Sequence, residues 1–262
     1  MALSLGLTPV GCGSAQSGDS ADASDNADIP SGRVAFRFHA LVGGLGLRMD
    51  GTRYANPSGP GHLEIRDFKV YLSNVALGKG TSSDAFDEED SYHLARFSRR
   101  SNTYEFELSG VPPGQYDTVN LSVGVDPSAN QRLDHMGDLD PNNQMAWNWM
   151  TGYKFLVLEG TYHPEDESST VPIVYHVGLS ENYKEISFAL PEMLEVRDGT
   201  ASVLNFDVEL NELFHNPNPI NVARKPSIKF DPTDASRMAS NYEHMITLRG
   251  PASPPTPAVN PP

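Results

Sequence analysis

With 262 residues, 34 Asp and Glu against 19 Lys and Arg, and a formal net charge of −15, the chain is ill suited to nucleic acid. Phosphate binding needs a basic stripe that releases counterions, and no Lys/Arg cluster here exceeds a pair such as Arg99-Arg100. The single cysteine, Cys12, excludes a disulfide framework within the chain, and no apolar run reaches the ~18 residues of a membrane-spanning helix.

Cys12 is informative by position. Val10-Gly11-Cys12 follows a short apolar stretch from Ala2 to Val10 and precedes a Gly/Ser/Asp-rich tether. That order resembles a bacterial lipoprotein signal, in which small residues precede a cysteine acylated after cleavage. Residues 1–12 are accordingly expected to be the signal remnant, with Cys12 as lipid anchor, and residues 13–31 a disordered tether. Such a protein would be lipid-anchored in the periplasm or at the outer membrane. Residues 250–262 are Pro-rich and unable to join a ladder or helix. Residues 32–249 are left as one globular domain with enough chain for a sizeable core.

Within that domain the hydrophobic period is two. In Arg33–Val42, Val34, Phe36, Phe38 and Val42 take one face, and Arg37 and His39 the other. Further runs are Ile65–Leu77, Thr103–Leu108, Val119–Val125, Tyr153–Tyr162, Val171–Leu179, Ile186–Leu190 and Ser202–Leu210. Turn signals at Val111-Pro112-Pro113-Gly114 and Asp198-Gly199 separate several of them. The acidic run Asp84–Asp90 reads as a solvated loop. Weak helical patterns occur at Pro191–Glu195 and Asp234–His244. The expected fold is all-β: an antiparallel β-sandwich of Ig-like or Greek-key type, about eight or nine strands, with short helical pieces near the C-terminus.

Catalytic signatures are missing: there is no nucleophile elbow, P-loop, dinucleotide turn or His-Glu-x-x-His. The expectation is therefore a protein that is not an enzyme. Asp138-Leu139-Asp140-Pro141-Asn142 mimics the start of a calcium loop. Asn143 stands where that loop needs glycine, and Trp149 where it needs glutamate, so a turn built on Asp and Asn is the better reading. Both tryptophans fall in one window, Met145-Ala146-Trp147-Asn148-Trp149, just before Gly152-Tyr153-Lys154-Phe155. On an extended strand Met145, Trp147, Trp149 and Tyr153 would share a face, as a core plug or a site lining. Eight scattered histidines give no local metal spacing. His39, on the polar face of its strand, and His176, opposite Ile173, Tyr175 and Val177, are the candidates by pattern.

Several phrases together resemble one family: Tyr71-Leu72-Ser73-Asn74, Val111-Pro112-Pro113-Gly114-Gln115-Tyr116, Gly124-Val125-Asp126, Trp147-x-Trp149-x-x-Gly152-Tyr153-Lys154-Phe155 and His176-Val177-Gly178. Their order and spacing over residues 33–248 are similar to the MbnP-like domain, the family of methanobactin-associated periplasmic copper-binding proteins. The resemblance implies a β-sandwich of the cell envelope that binds copper, Cu(I) or Cu(II). It also implies a di-haem MbnH-like partner enzyme that oxidises a tryptophan to kynurenine at the copper site. Carried onto this chain, the oxidisable side chain is Trp147 or Trp149, with Met145 lining the site, and His176 matches the family's His-Leu-Gly element. The di-haem-paired branch typically carries four cysteines and an Asn-His pair; this chain has neither, reading Asn130-Gln131, and His135 is the nearby substitute. The expected metal residues are thus His39, His135 and His176. The alternative is a non-metal lipoprotein that uses its sandwich as a partner- or ligand-binding module.

Overall fold

A computed structural model describes residues 30–80, 82–148, 152–166, 169–229 and 231–249, without the side chains of 82–85 and 148. Cys12, the tether, Trp149 and the Pro-rich tail lie outside the described residues. The strands are β1 (Gly32–Val42), β2 (Leu45–Gly46), β3 (Arg53–Ala55), β4 (His62–Lys79), β5 (Ser82–Asp87), β6 (Tyr92–Phe97), β7 (Thr103–Val111) and β8 (Gly114–Val123). They continue as β9 (Ala146–Asn148), β10 (Gly152–His163), β11 (Val171–Gly178), β12 (Lys184–Val196), β13 (Ala201–Glu209), β14 (Ser227–Ile228) and β15 (Ile246–Leu248). Three short helices are α1 (Pro127–Asn130), α2 (Pro232–Ala239) and α3 (Tyr242–Met245). No described helix is long and apolar enough to cross a membrane.

The smaller sheet runs β15-β13-β1-β2, with β7 also on β1; the larger runs β12-β8-β4-β10-β11-β14, with β3, β5, β6 and β9 attached. The alternation read from sequence carries directly into packing. Phe36 and Phe38 point inward from β1 and stack on Phe106 and Phe206, with ring centroids 4.9–5.9 Å apart. Ile65, Phe68, Val70 and Leu72 of β4 and Ile173, Tyr175 and Val177 of β11 join the same buried cluster. The expected all-β sandwich is therefore present. Two pairings depart from the antiparallel expectation: β1 with β13 and β11 with β14 are parallel. Alternation along one strand fixes which face is buried but not the direction of its neighbour. Residues 191–195, read as helical, belong to β12, where the pairing with β8 shifts register between Ala189 and Leu194. Part of the acidic run, read as a loop, is strand β5, which pairs with the end of β4. The C-terminal helical reading holds, split into α2 and α3.

β4 organises the larger sheet. Along one edge it pairs first with β10 and then with β8, while β3, β6 and β5 line its other edge. β8 ends beside Leu72 and β10 begins close by, so residues 124–148 form an excursion that leaves the sheet near the place where β10 joins it. This excursion lies on the outer face of β4 and β10 and builds a second apolar cluster there. Tyr71, Val125, Leu139, Met145, Tyr153, Phe155 and Val157 are buried in it. Two tyrosine hydroxyls hold it down: Tyr71 Oη donates to the Asp138 carbonyl (2.8 Å) and Tyr153 Oη to the Leu139 carbonyl (2.6 Å). Asp138 itself accepts from the Leu94 amide at 2.7 Å, and Asp140 caps the following turn through the Asn142 amide. The Asp/Asn segment is thus the expected turn, serving as a brace.

Asn130, at the end of α1, completes the attachment. Its side chain accepts from the Tyr153 amide (2.8 Å) and donates to Ser180 Oγ (3.0 Å). Gly152 makes room for it: φ is +78°, and a Cβ there would meet the Asn130 carbonyl oxygen at 2.3 Å. The Tyr71 brace sets a stability prediction. Tyr71→Phe removes one of the two donors to the Asp138 carbonyl, leaving Asn143 Nδ2 at 3.0 Å, and should lower the unfolding free energy by about 1 kcal/mol in urea denaturation. An unchanged midpoint would show that the excursion does not depend on that bond.

Candidate functional site

His176 stands on the outer face of β11, because Ile173, Tyr175 and Val177 take the core side. Its register partner on β10 is Val157, and Glu159 lies one alternation further along β10 on the same face. His176 Nε2 and Glu159 Oε1 are 2.7 Å apart, with the imidazole side chain 14% exposed and the carboxylate 43%. Burial depresses the His176 pKa below its ordinary 6.5; Glu159 opposes that shift, and Lys154 and Lys229 add to it. The ring is consequently neutral near pH 7. A carboxylate that accepts from Nε2–H selects the tautomer in which Nδ1 carries a lone pair, the form in which imidazole ligates a metal.

Trp147 is the neighbour of this pair. β9 folds back on the start of β10 as an antiparallel arm, which replaces the single extended run expected from sequence. The arm brings the partly buried Trp147 ring against Gly178: a Cβ on Gly178 would lie 2.7 Å from Trp147 Cζ3. Residues two apart on a strand share a face and are roughly 7 Å apart. The indole therefore occupies the position that a side chain at 178 would take, next to His176. The glycine of His176-Val177-Gly178 thus leaves clearance both for the Tyr153 carbonyl oxygen, which a Cβ would meet at 2.3 Å, and for the ring. Lys154, its pKa lowered by burial, donates from Nζ to the Gln144 carbonyl at 2.9 Å, closing the base of the arm.

The other expected residues are placed elsewhere. His39 projects from the outer face of the smaller sheet, across the sandwich from His176. Both its nitrogens are engaged, Nε2 with Asn205 Oδ1 (3.3 Å) and Nδ1 with Thr103 Oγ1 (3.2 Å). His135 belongs to the excursion: Nε2 is 3.3 Å from the Ala129 carbonyl, and its ring centroid is 6.5 Å from that of Tyr153. It lines an open recess of about 550 Å³ with Tyr92, Arg132, Met136 and Asp138. Met145 is fully buried in the second cluster. Trp149 is outside the described residues. Among the described residues, no three His, Cys, Asp or Glu side chains converge as a metal cluster. Structure thus joins Trp147 to His176 and leaves His39 and His135 apart. Glu159 is the site residue that sequence reading missed; its alternation on Tyr153–Tyr162 was visible, but its pairing with His176 required the β10–β11 register.

The molecule is thus a two-sheet sandwich with a side excursion on the outer face of its larger sheet. The MbnP family profile matches residues 31–230, and the chain belongs to that family. Among solved structures, MbnP from Methylosinus trichosporium superposes with a TM-score of 0.57 at 16% identity, covering 86% of this chain and 100% of that chain. At that identity the likeness speaks for the fold. Comparison with curated proteins finds no match.

The depressed His176 pKa has a stability consequence. Between the folded-state value and 6.5 the unfolded chain binds the extra proton, so this residue's contribution is complete above pH 6.5 and is lost as pH falls through that window. Glu159→Gln removes the group that holds the pKa up. It should shift the His176 titration, followed by NMR of the ring protons, to still lower pH; an upward shift would mean that Glu159 does not face the imidazole in solution.

Proposed function

We propose that this protein binds copper at the outer face of β11, with His176 as imidazole ligand and Trp147 as the adjoining aromatic wall. The observation that carries the reading is the seat of the Trp147 indole on Gly178, beside a neutral histidine oriented by Glu159. Family membership supports it, since the family is named for a methanobactin-associated protein. The donors suit the cation in kind: imidazole accommodates copper, and the carboxylate behind it raises the basicity of the ligating nitrogen. One imidazole does not complete a copper shell. Cleavage of the indole C2–C3 bond by a di-haem partner, with two equivalents of peroxide reduced to water and C2 then released as formate by hydrolysis, would leave kynurenine's aromatic amine and ketone beside His176, able to serve as further donors. Trp147 is the better placed candidate for that change, and Trp149 the other. The role is acquisition, buffering or transfer of copper rather than catalysis, by a protein held in the bacterial envelope through an acylated Cys12.

Titration of the full chain with Cu(I) under anaerobic conditions against a chromogenic chelator tests this. One tight equivalent is expected, weakened about a hundredfold or more by His176→Ala, with copper quenching tryptophan emission. Equal affinity in the His176→Ala protein would remove His176 from the site. No binding by the unmodified chain, followed by binding once the di-haem enzyme has acted, would assign the missing donors to the oxidised tryptophan. No binding in either state would favour the partner-binding module.

A further inference from the structure

The outer face of the larger sheet carries a second group of ligating side chains, at the end of β4–β10 remote from Trp147. Leu63, Ile65 and Tyr162 point into the core, so His62, Glu64, Thr161 and His163 share the outer face. The ladder pairs His163 directly with His62 and Thr161 with Glu64. Two histidines and a glutamate therefore occupy adjoining positions of one antiparallel pair, where facing Cβ atoms are about 5 Å apart. From Val157, the partner of His176, to His163 the strand advances about 20 Å, so the two groups are separate.

His163 shows why this arrangement calls for a ligand. Its side chain is 11% exposed, and its Nε2 is sealed from solvent without a hydrogen-bond partner among the described residues. Glu64 Oε2 is 3.4 Å away, close enough for electrostatic contact but not aligned as an acceptor. A buried nitrogen left unpaired is costly, and such groups ordinarily meet a partner. Beside it lies a recess of about 150 Å³ lined by Arg53, His163, Pro164, Ser169 and Thr170. His62 is exposed and faces His163 across the ladder; the three side chains do not converge in the conformation described, so a bound ion would require the exposed His62 to change rotamer.

We propose that His62, His163 and Glu64 form a second metal site, for a borderline divalent cation such as Zn²⁺. Two imidazoles and one carboxylate match that ion's preference for nitrogen and oxygen donors at about 2.0–2.2 Å, with a fourth position left for water. The site has no thioether, so it is harder in character than a Cu(I) site. Arg53, the partner of Glu64 on β3, is the nearby positive charge, and Glu64 on β4 stands between it and His163 on β10 in the strand order. A bound ion would clamp β4 to β10 at the end where the chain turns away from both strands.

Equilibrium competition of the full chain with Zn²⁺ and a chromophoric chelator tests the proposal. One equivalent is expected, weakened about a hundredfold or more by His62→Gln and by Glu64→Gln, and unaffected by His176→Ala. His163→Gln should behave likewise; because His163 is packed and its replacement could disturb folding, exposed His62 is the decisive position. Absence of a bound Zn²⁺ equivalent would overturn the proposal. So would a bound equivalent indifferent to His62→Gln, or one lost on His176→Ala. The copper reading stands or falls separately, on Cu(I) and His176.

Discussion

Burial of the outer face of β4 and β10 beneath residues 124–148 is the constraint on which the remaining architecture depends. A sandwich needs only one apolar face per sheet, yet Tyr71, Tyr153, Phe155 and Val157 make this part of the larger sheet apolar on both sides. The excursion covers the second side, and covering it brings backbone carbonyls into contact with buried aromatics. Two of those carbonyls are met by tyrosine hydroxyls. Burial pushes the Tyr153 pKa up to about 12 and raises that of Tyr71 further, so both remain protonated donors at any physiological pH. The brace is consequently insensitive to pH, unlike the histidine it helps to position.

The same constraint makes the neighbourhood of His176 specific. An exposed strand would leave imidazole and indole free to sample many rotamers. Here the arm formed by β9 holds Trp147 on Gly178, while Glu159 holds the imidazole from the other side. The environment is electrostatically mixed: Glu159 favours the protonated ring, whereas burial, Lys154 and Lys229 oppose it, and the opposing group prevails.

Much of this was legible in the sequence, and the reasons differ by element. Strand identity and buried face followed from alternation because burial on one side of a pleated strand imposes period two. The family phrases were legible as a set, and the structure shows what they do. Tyr71 and Tyr153 brace the excursion; Ser73 Oγ donates to the Gly124 carbonyl at its start; Tyr116 Oη donates to the Pro112 carbonyl across the turn between β7 and β8. Asn130, which the sequence marked for the histidine missing after it, is itself structural. Long-range pairing was illegible. Nothing in Gly32–Val42 or Ala201–Glu209 announces that the two strands run parallel, and nothing in Tyr153–Tyr162 announces that Glu159 meets His176. For the same reason His39 looked as good a ligand as His176: both alternate correctly, and only the assignment of their strands to different sheets separates them.

Why ligating groups should collect on the outer face follows from what the interior lacks. The cluster between the sheets is built from aliphatic and aromatic side chains, and an ion placed there would lose hydration with no donors in return. On the outer face of β4, β10 and β11, polar positions recur at every second residue and lie beside those of the next strand. Such a lattice sets donors at nearly fixed separations, so a rigid ladder does part of the ordering that a loop-borne site must complete on binding. Its two ends are differentiated by what covers them. Near Gly178 the tryptophan arm covers the strand, whereas at the other end His62 stays exposed beside the largely buried His163. The two proposed sites would then lie on one sheet face, about six residues apart along β10, and differ in their cover rather than in a separate fold.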